Sequence, residues 1–182
     1  DGRVMLMHKQ VRQLFGEIPT DPEEYITASQ LSQAEAKKFF IEHMRIGRPT
    51  KCGIIWWNLL DGWPQMSDAV VDYYYDKKLA YHFIKRSQAP FAICADEIAK
   101  WKLRLYACND TLTEKRGHLR VFDIETDETL AELDFTAAAN TSTEVASLPV
   151  YYSDKRFLVF AYTVDGVTSY NHYLCGFPPF DL

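Results

Sequence analysis

The segment Gly53–Pro64 constrains the fold of this chain more than any other stretch of its sequence. It opens as a nearly continuous apolar run, which predicts a strand buried on both faces, as in parallel sheets. It closes on Asp61-Gly62 and Trp63-Pro64, which are turn and strand-breaking signals. A buried strand that carries Trp, Asn and Asp to its C-terminal end is how a (β/α) barrel builds a site. The alternative interpretation is that its tryptophans simply fill a core.

The sequence before this segment predicts a long helix. Asp21 and Pro22 give a clear start, with Asp21 as the cap and Pro22 at the first helical position. A second capping pattern at Ser32–Glu35 opens or continues a helix that runs to about Arg45. Its apolar stripe, which we expect to pack on a sheet, consists of Ala36, Phe39, Phe40 and Met44.

Two shorter elements complete the first half. Val4–His8 is an apolar run that predicts a strand or a buried loop. A helix is predicted from about Lys77 to Arg86, with buried positions at Leu79, Ala80, Phe83 and Ile84. Helix, strand and helix in this order is the alternation of a barrel wall.

From Ala89 onwards the hydrophobic period changes from that of a helix to that of a strand. Short strands separated by turn signals favour an antiparallel sandwich, in which Phe157–Val164, apolar on both faces, should be a central strand. The candidate strands are Phe91–Ala95, Leu103–Asn109, Leu119–Asp123, Thr129–Phe135, Thr143–Leu148, Phe157–Val164 and Ser169–Cys175. We therefore predict two domains, residues 1–88 and 89–182, and expect the second to fold alone.

The composition argues against several kinds of partner. The net charge is −5 and the basic residues are scattered, which argues against a nucleic acid. No apolar run approaches the roughly 18–20 residues needed to cross a bilayer, so we expect no membrane partner. The four cysteines form no CxxC pair and are interpreted as small apolar fillers, and the five histidines form no ligand pattern. We therefore expect no metal and no other cofactor.

Two motifs carry a resemblance to a known family. The segment Gly53–Pro64 resembles the last barrel strand of family 2 glycoside hydrolases, most closely the β-mannosidase-like branch. The matching positions are Trp57, Asp61, Trp63 and Pro64, and Asn58 stands where the family has Gln. The end of the chain, Asn171–Leu182, is similar to the terminal strand and tail of the same branch.

The resemblance implies a fold, an activity and partners. Residues 1–88 would be the C-terminal segment of a (β/α)8 TIM barrel, and residues 89–182 an immunoglobulin-like β-sandwich, giving a two-part α+β chain. The activity would be that of a retaining, exo-acting glycosidase on terminal β-linked sugars. The partners would be a carbohydrate and the upstream part of the same polypeptide.

The catalytic residues implied by the resemblance are not in this chain. The family uses two Glu residues on earlier barrel strands, and their sequence contexts are absent here. We assign the glutamates of the first half to a loop or to helix surfaces, namely Glu17, Glu23, Glu24, Glu35 and Glu42. The chain alone is therefore expected to be inactive.

Trp57, Asn58 and Asp61 are the candidate substrate-binding residues. The resemblance places Trp57 under the sugar in the −1 subsite, where an aromatic plane gives sugar C–H groups a flat apolar partner. Asp61 is more simply a brace for its loop, since Asp-Gly is ordinary turn chemistry. Trp63 is interpreted as a wedge between barrel and following helix, and Trp56 as core. The alternative function is a non-catalytic carbohydrate-binding or scaffolding β-sandwich with a helical adaptor.

Overall fold

The computed structural model of the chain describes residues 2–182. By its internal contacts the chain divides into two compact units. The first comprises the stretch that ends at Ile41, together with Ile54–Arg86 and Pro178–Leu182. The second comprises Glu42–Gly53 and Ser87–Phe177. None of the described helices is long and apolar enough to cross a membrane.

Helix α1 spans Gly2–Phe15, so the prediction of a strand or buried loop at Val4–His8 is wrong. A short apolar run does not distinguish a strand from a helix by periodicity alone. The helix buries Val11 and exposes most of the run. Its C-terminal end is tied to the chain terminus, because the Phe180 amide donates to the Leu14 carbonyl at 2.8 Å.

Helix α2 spans Pro22–Ile46 and begins where the sequence predicts. The Asp21 carboxylate accepts hydrogen bonds from the amides of Glu23 (2.9 Å) and Glu24 (3.1 Å), as an N-cap does. The second capping pattern continues the helix and does not start one. The Ser32 hydroxyl donates to the Ala28 carbonyl one turn earlier, a bond that serine makes within helices.

The buried face of α2 differs from the prediction. Phe40 is 57% exposed, and Phe39 and Ala36 are also exposed. Within the first unit the buried side consists of Ala28, Ser32, Ala34, Lys38 and Ile41. Periodicity identified an apolar stripe but not which face of the helix is covered.

The segment Gly53–Pro64 is not a regular strand, which corrects the prediction of a strand buried on both faces. It has a single parallel bridge, between Leu60 and Val71. Ile54 and Trp56 pack against the helices, whereas Ile55 is fully exposed and Trp57 is 73% exposed. Both faces of a parallel strand are covered only where helices pack on each side of its sheet, and within residues 2–182 only the side of Ile54 and Trp56 is packed. The short stretch around Val71 is what pairs with it in the described chain.

Helix α3 spans Leu79–Ser87 and agrees with its prediction. Ala80 and Ile84 are buried, and Leu79 and Phe83 are half-buried beside them. The buried pair joins Val70 and residues of α2 in one apolar cluster, which is the core of the first unit.

The second unit contains an antiparallel β-sandwich, which confirms that part of the predicted fold. Its strands are β1 (Phe91–Ala95), β2 (Lys102–Asn109), β3 (Lys115–Asp123), β4 (Thr129–Ala137), β5 (Thr141–Pro149), β6 (Arg156–Val164) and β7 (Val167–Cys175). One sheet has the order β1-β2-β5 and the other β4-β3-β6-β7. Strand β6 lies between two neighbours, as its apolar faces predict. A core that includes Leu105, Leu119 and Phe160 fills the space between the sheets.

Arg45, near the end of α2, is held inside the second unit. Its guanidinium donates to the carbonyls of Ser87 (2.5 Å) and Cys108 (3.1 Å). It also forms an ion pair with Asp110 at 3.2 Å. The buried guanidinium of Arg45 is therefore compensated by two carbonyls and one carboxylate.

Glu42, one turn before Arg45, is buried in the same unit. The prediction that it lies on a helix surface is wrong, since it is 2% exposed. Its carboxylate accepts a hydrogen bond from Asn171 Nδ2 at 2.8 Å, and Asn171 also donates to the Ile93 carbonyl. The asparagine of the C-terminal motif therefore binds the end of α2 to the sandwich.

The cysteines are free, and three of them, Cys94, Cys108 and Cys175, are buried as predicted for apolar fillers. Cys52 is exposed, so that interpretation is wrong for it. It lies in the loop after α2, where no strand or helix covers it. Within residues 2–182, no group of three His, Cys, Asp or Glu side chains is arranged to hold a metal.

Candidate functional site

Asp61 organises the loop that carries the predicted site residues. Its side chain is almost inaccessible, at 3% exposure, although it belongs to an Asp-Gly turn. The carboxylate accepts hydrogen bonds from Gln65 Nε2 at 3.0 Å, from the Ser67 hydroxyl and from Lys78 Nζ at 3.2 Å. All three donors follow Asp61 in the chain, so one buried anion holds the stretch from Gln65 to Lys78 around it.

The pKa of Asp61 is lowered from its ordinary value by this environment. Burial acts to raise the pKa, but the hydrogen bonds from Ser67, Gln65 and Lys78, with the charge of Lys78, outweigh it. Asp61 is therefore an ionised brace at neutral pH. It is poorly suited to donate a proton, which agrees with its interpretation as a positioning residue for the loop.

We expect Asp61→Asn to destabilise the chain by about 1–2 kcal/mol at pH 7, because Lys78 loses its buried anionic partner. The folded-state pKa is depressed, so the stabilisation by the carboxylate is complete above the unfolded-state pKa near 3.8 and is lost as the pH falls through the folded value. Thermal melts of the two proteins should therefore differ at pH 7 and approach each other as the pH falls below 3.8. A constant difference across that range would contradict the assignment.

Lys37 fixes the backbone at Trp57. Its ammonium group donates to the Trp57 carbonyl at 2.7 Å and lies 5.1 Å from the centroid of the Trp56 ring. Burial lowers the pKa of Lys37, and the charge of Asp68 partly opposes that effect. The peptide bond from Trp57 to Asn58 is cis. Trp57 thus has a fixed backbone and an exposed ring.

Asn58 and the other two tryptophans have different environments. The Asn58 side-chain amide donates to the Leu60 carbonyl at 3.2 Å, and its backbone carbonyl accepts from the Val70 amide. Trp56 packs on the helical core, in agreement with its interpretation. Trp63 is 63% exposed, so the expected wedge is not found within residues 2–182. Its indole lacks the packing that the wedge interpretation requires.

A tyrosine loop lies beside the Asp61-Gly62 turn and was not predicted as part of a site. Tyr73, Tyr74 and Tyr75 line one open cavity of about 550 Å³ together with that turn. Asp72 shapes the loop, since its carboxylate accepts from the amides of Tyr74 (2.8 Å) and Asp76 (2.9 Å). In the sequence, the run of three tyrosines was the pattern that could have identified this loop as part of a site. The structure brings this loop to Asp61, whereas Trp57 is not among the residues that line the cavity.

The relatives of this sequence are β-mannosidases. No family model matches the sequence. The β-mannosidase B of Thermothelomyces thermophilus is 31% identical over 179 residues, which cover 81% of this chain and 21% of that protein. The β-mannosidase B of Aspergillus niger is 39% identical over 77 residues, 41% of this chain and 9% of that protein. The chain thus spans about a fifth of the first relative's length.

Solved structures show the same likeness. The β-D-mannosidase of Dictyoglomus thermophilum superposes with a TM-score of 0.83 and 27% identity, over 96% of this chain and 22% of that one. The exo-chitosanase of Amycolatopsis orientalis has a TM-score of 0.74 at 17% identity, over 93% of this chain and 21% of its own, which shows the fold alone. The fold and the relatives together define a C-terminal region of a glycosidase. The chain belongs to glycoside hydrolase family 2, on its β-mannosidase-like branch.

Proposed function

We propose that this chain is the C-terminal part of a retaining, exo-acting β-glycosidase of the β-mannosidase type, which removes terminal β-linked sugars. Residues 1–88 are the end of its catalytic barrel, and residues 89–182 are the sandwich that follows. The observation that carries this proposal is the two-sided segment Gly53–Pro64, which packs one face on helices and presents Trp57 on the other.

The alternation along this segment is what a barrel wall strand requires. Ile54 and Trp56 face the helical core, as residues on the outer face of a barrel strand do. Ile55, Trp57 and Leu59 are exposed on the other side, the face that would line the barrel interior. Leu60 of the segment bridges Val71 in parallel, which is the pairing direction of neighbouring barrel strands.

Trp57 is the proposed sugar platform. Its ring is 73% exposed while its carbonyl is anchored by Lys37, so the plane is presented without a covering side chain. Such a surface suits the apolar C–H face of a pyranose ring. Asn58 completes the proposed contact region. Asp61 acts through the loop, because its carboxylate is bound to Gln65 and Lys78.

The remaining chemistry needs groups outside this chain. A retaining glycosidase places two carboxylates about 5–5.5 Å apart, one as nucleophile and one as acid and base. Trp57 binds the sugar in the ground state and the transition state, so it positions the ring and does not itself break the glycosidic bond. The β-mannosidase relatives support β-linked mannose as the sugar.

We expect the purified 182-residue chain to hydrolyse no aryl β-mannoside above background, because the two catalytic carboxylates are supplied by upstream sequence. Aryl β-galactoside, β-glucoside and β-glucuronide should also remain intact. The matched control is a longer polypeptide that includes the upstream region, which should hydrolyse the β-mannoside. Turnover by the chain alone that disappears when Glu17, Glu23, Glu24, Glu35 or Glu42 is replaced would overturn the proposal.

A further inference from the structure

An exposed aromatic cluster lies on the sandwich, among residues that the proposed function does not use. Trp101, Tyr151 and Phe177 are each more than half exposed. The rings of Trp101 and Tyr151 are 6.2 Å apart, and Tyr152 contacts Trp101 at 5.3 Å and stacks on Phe177 at 5.6 Å. Large apolar rings gathered at a surface indicate a binding site more often than isolated ones do.

The backbone holds Trp101 outwards in a conformation that its side chain does not favour. Ala99 and Lys102 exchange two hydrogen bonds across a two-residue turn, whose central residues Lys100 and Trp101 have φ values of 54° and 63°. Both values are left-handed, as in a type I′ turn, where the second central position suits glycine. The Val150 amide donates to the Trp101 carbonyl at 3.1 Å, which fixes the turn beside Tyr151. A bulky side chain at a left-handed φ raises the free energy of the folded chain, so folding by itself does not favour tryptophan at this position.

A cavity of about 270 Å³ adjoins the cluster at Tyr151. Its apolar lining includes Leu130 and Leu148. The polar side chains that line it are Glu128, Thr129, Asp154 and Arg156. Apolar and aromatic side chains with a few polar groups are the usual lining of a small-molecule site.

We infer that this cavity and the adjacent cluster bind a neutral oligosaccharide without cleaving it. The rings of Tyr151 and Trp101 would contact the C–H faces of consecutive sugars, and the polar lining side chains would pair with their hydroxyl groups. The charges favour a neutral ligand, because the Arg156 guanidinium is already bound to Glu128 at 2.9 Å and lies 3.9 Å from Asp123. An acidic ligand would have to displace those carboxylates.

This inference does not rest on the proposed function. Its residues all belong to the second unit, whereas Trp57, Asn58 and Asp61 belong to the first. A sugar can therefore bind to the sandwich whether or not the parent protein is a glycosidase. Variants of the two sites can be measured separately in the same chain.

The test is a titration of the 182-residue chain with β-1,4-mannohexaose and with cellohexaose, followed by calorimetry and by tryptophan fluorescence. Trp101→Gly is the informative variant, because glycine suits the left-handed backbone there while removing the ring. We expect it to keep or raise the melting temperature and to weaken binding about tenfold or more. Tyr151→Ala should weaken binding similarly. The exposed-tyrosine control Tyr170→Ala should leave it unchanged.

Three results would overturn the inference. The first is the absence of saturable binding of either probe at millimolar concentration. The second is binding that Trp57→Ala abolishes and Trp101→Gly does not change. The third is an affinity for both probes that neither Trp101→Gly nor Tyr151→Ala changes, which would assign the cluster to packing against protein, such as the upstream part of the same polypeptide.

Discussion

Trp57→Ala, made in the longer polypeptide that includes the upstream region, is expected to reduce kcat/KM for an aryl β-mannoside roughly 5- to 150-fold. This corresponds to about 1–3 kcal/mol of lost sugar contact and transition-state stabilisation. The melting temperature should change little, because the Trp57 ring is 73% exposed in the chain. Steady-state kinetics and a thermal melt of the same preparation provide the two numbers.

Trp63→Ala is the matched control for this prediction. This variant removes an indole ring from the same segment, and Trp63 is exposed as Trp57 is. Trp63 differs from Trp57 in lying after the Asp61-Gly62 turn. We expect a smaller loss of activity for it than for Trp57→Ala. The reverse ranking, with activity lost for Trp63→Ala and kept for Trp57→Ala, would show that the two rings have been assigned the wrong way round.

Arg45→Ala is expected to lower the free energy of unfolding of the 182-residue chain by about 2–3 kcal/mol, the scale for losing hydrogen bonds from a buried charged donor. The change leaves the carbonyls of Ser87 and Cys108 without their guanidinium donor, whereas Asp110 keeps its pair with Arg48. Chemical denaturation followed by circular dichroism measures the effect. A loss below about 1 kcal/mol would contradict the structural role given to Arg45.

Arg48→Ala provides the control, because Arg48 also pairs with Asp110, at 3.1 Å, and is more exposed than Arg45. Exposed pairs contribute about 0–1 kcal/mol, so this variant should be nearly neutral.

The contacts of Glu42 and Arg45 also affect how stable the sandwich, residues 89–182, is when it folds alone. A polypeptide that starts at residue 87 lacks Glu42 and Arg45, and we expect it to melt at a lower temperature than one that starts at residue 42.

The strands of the sandwich could be predicted from the sequence, because a half-buried strand is recognised by the alternation of apolar and polar residues within it. All of the candidate strands are present, with ends that differ from the predictions by no more than four residues. Alternation of side chains at a period of two depends only on neighbours within the strand. The cap at Asp21 was predictable for a similar reason, since its bonds reach only to Glu23 and Glu24.

The features that could not be predicted from the sequence depend on which distant parts of the chain pack against a residue in the fold. The segment Gly53–Pro64 is apolar throughout, and the composition alone does not show that Trp57 is exposed while Trp56 is packed. Glu42 has the sequence context of a surface glutamate, yet its partner Asn171 is 129 positions away. Asp61 was recognised as a brace from its turn, but its donors Ser67 and Lys78 required the fold.

The central claim is that this chain supplies the sugar platform and that upstream sequence supplies the catalytic carboxylates. The most direct test is to treat the longer polypeptide with 2-deoxy-2-fluoro-β-mannosyl fluoride, which traps the covalent intermediate of a retaining enzyme, and to map the labelled peptide by mass spectrometry. The account predicts one labelled glutamate, located before residue 1 of this chain, and loss of activity in step with labelling. A label on any glutamate within residues 1–182 would contradict it.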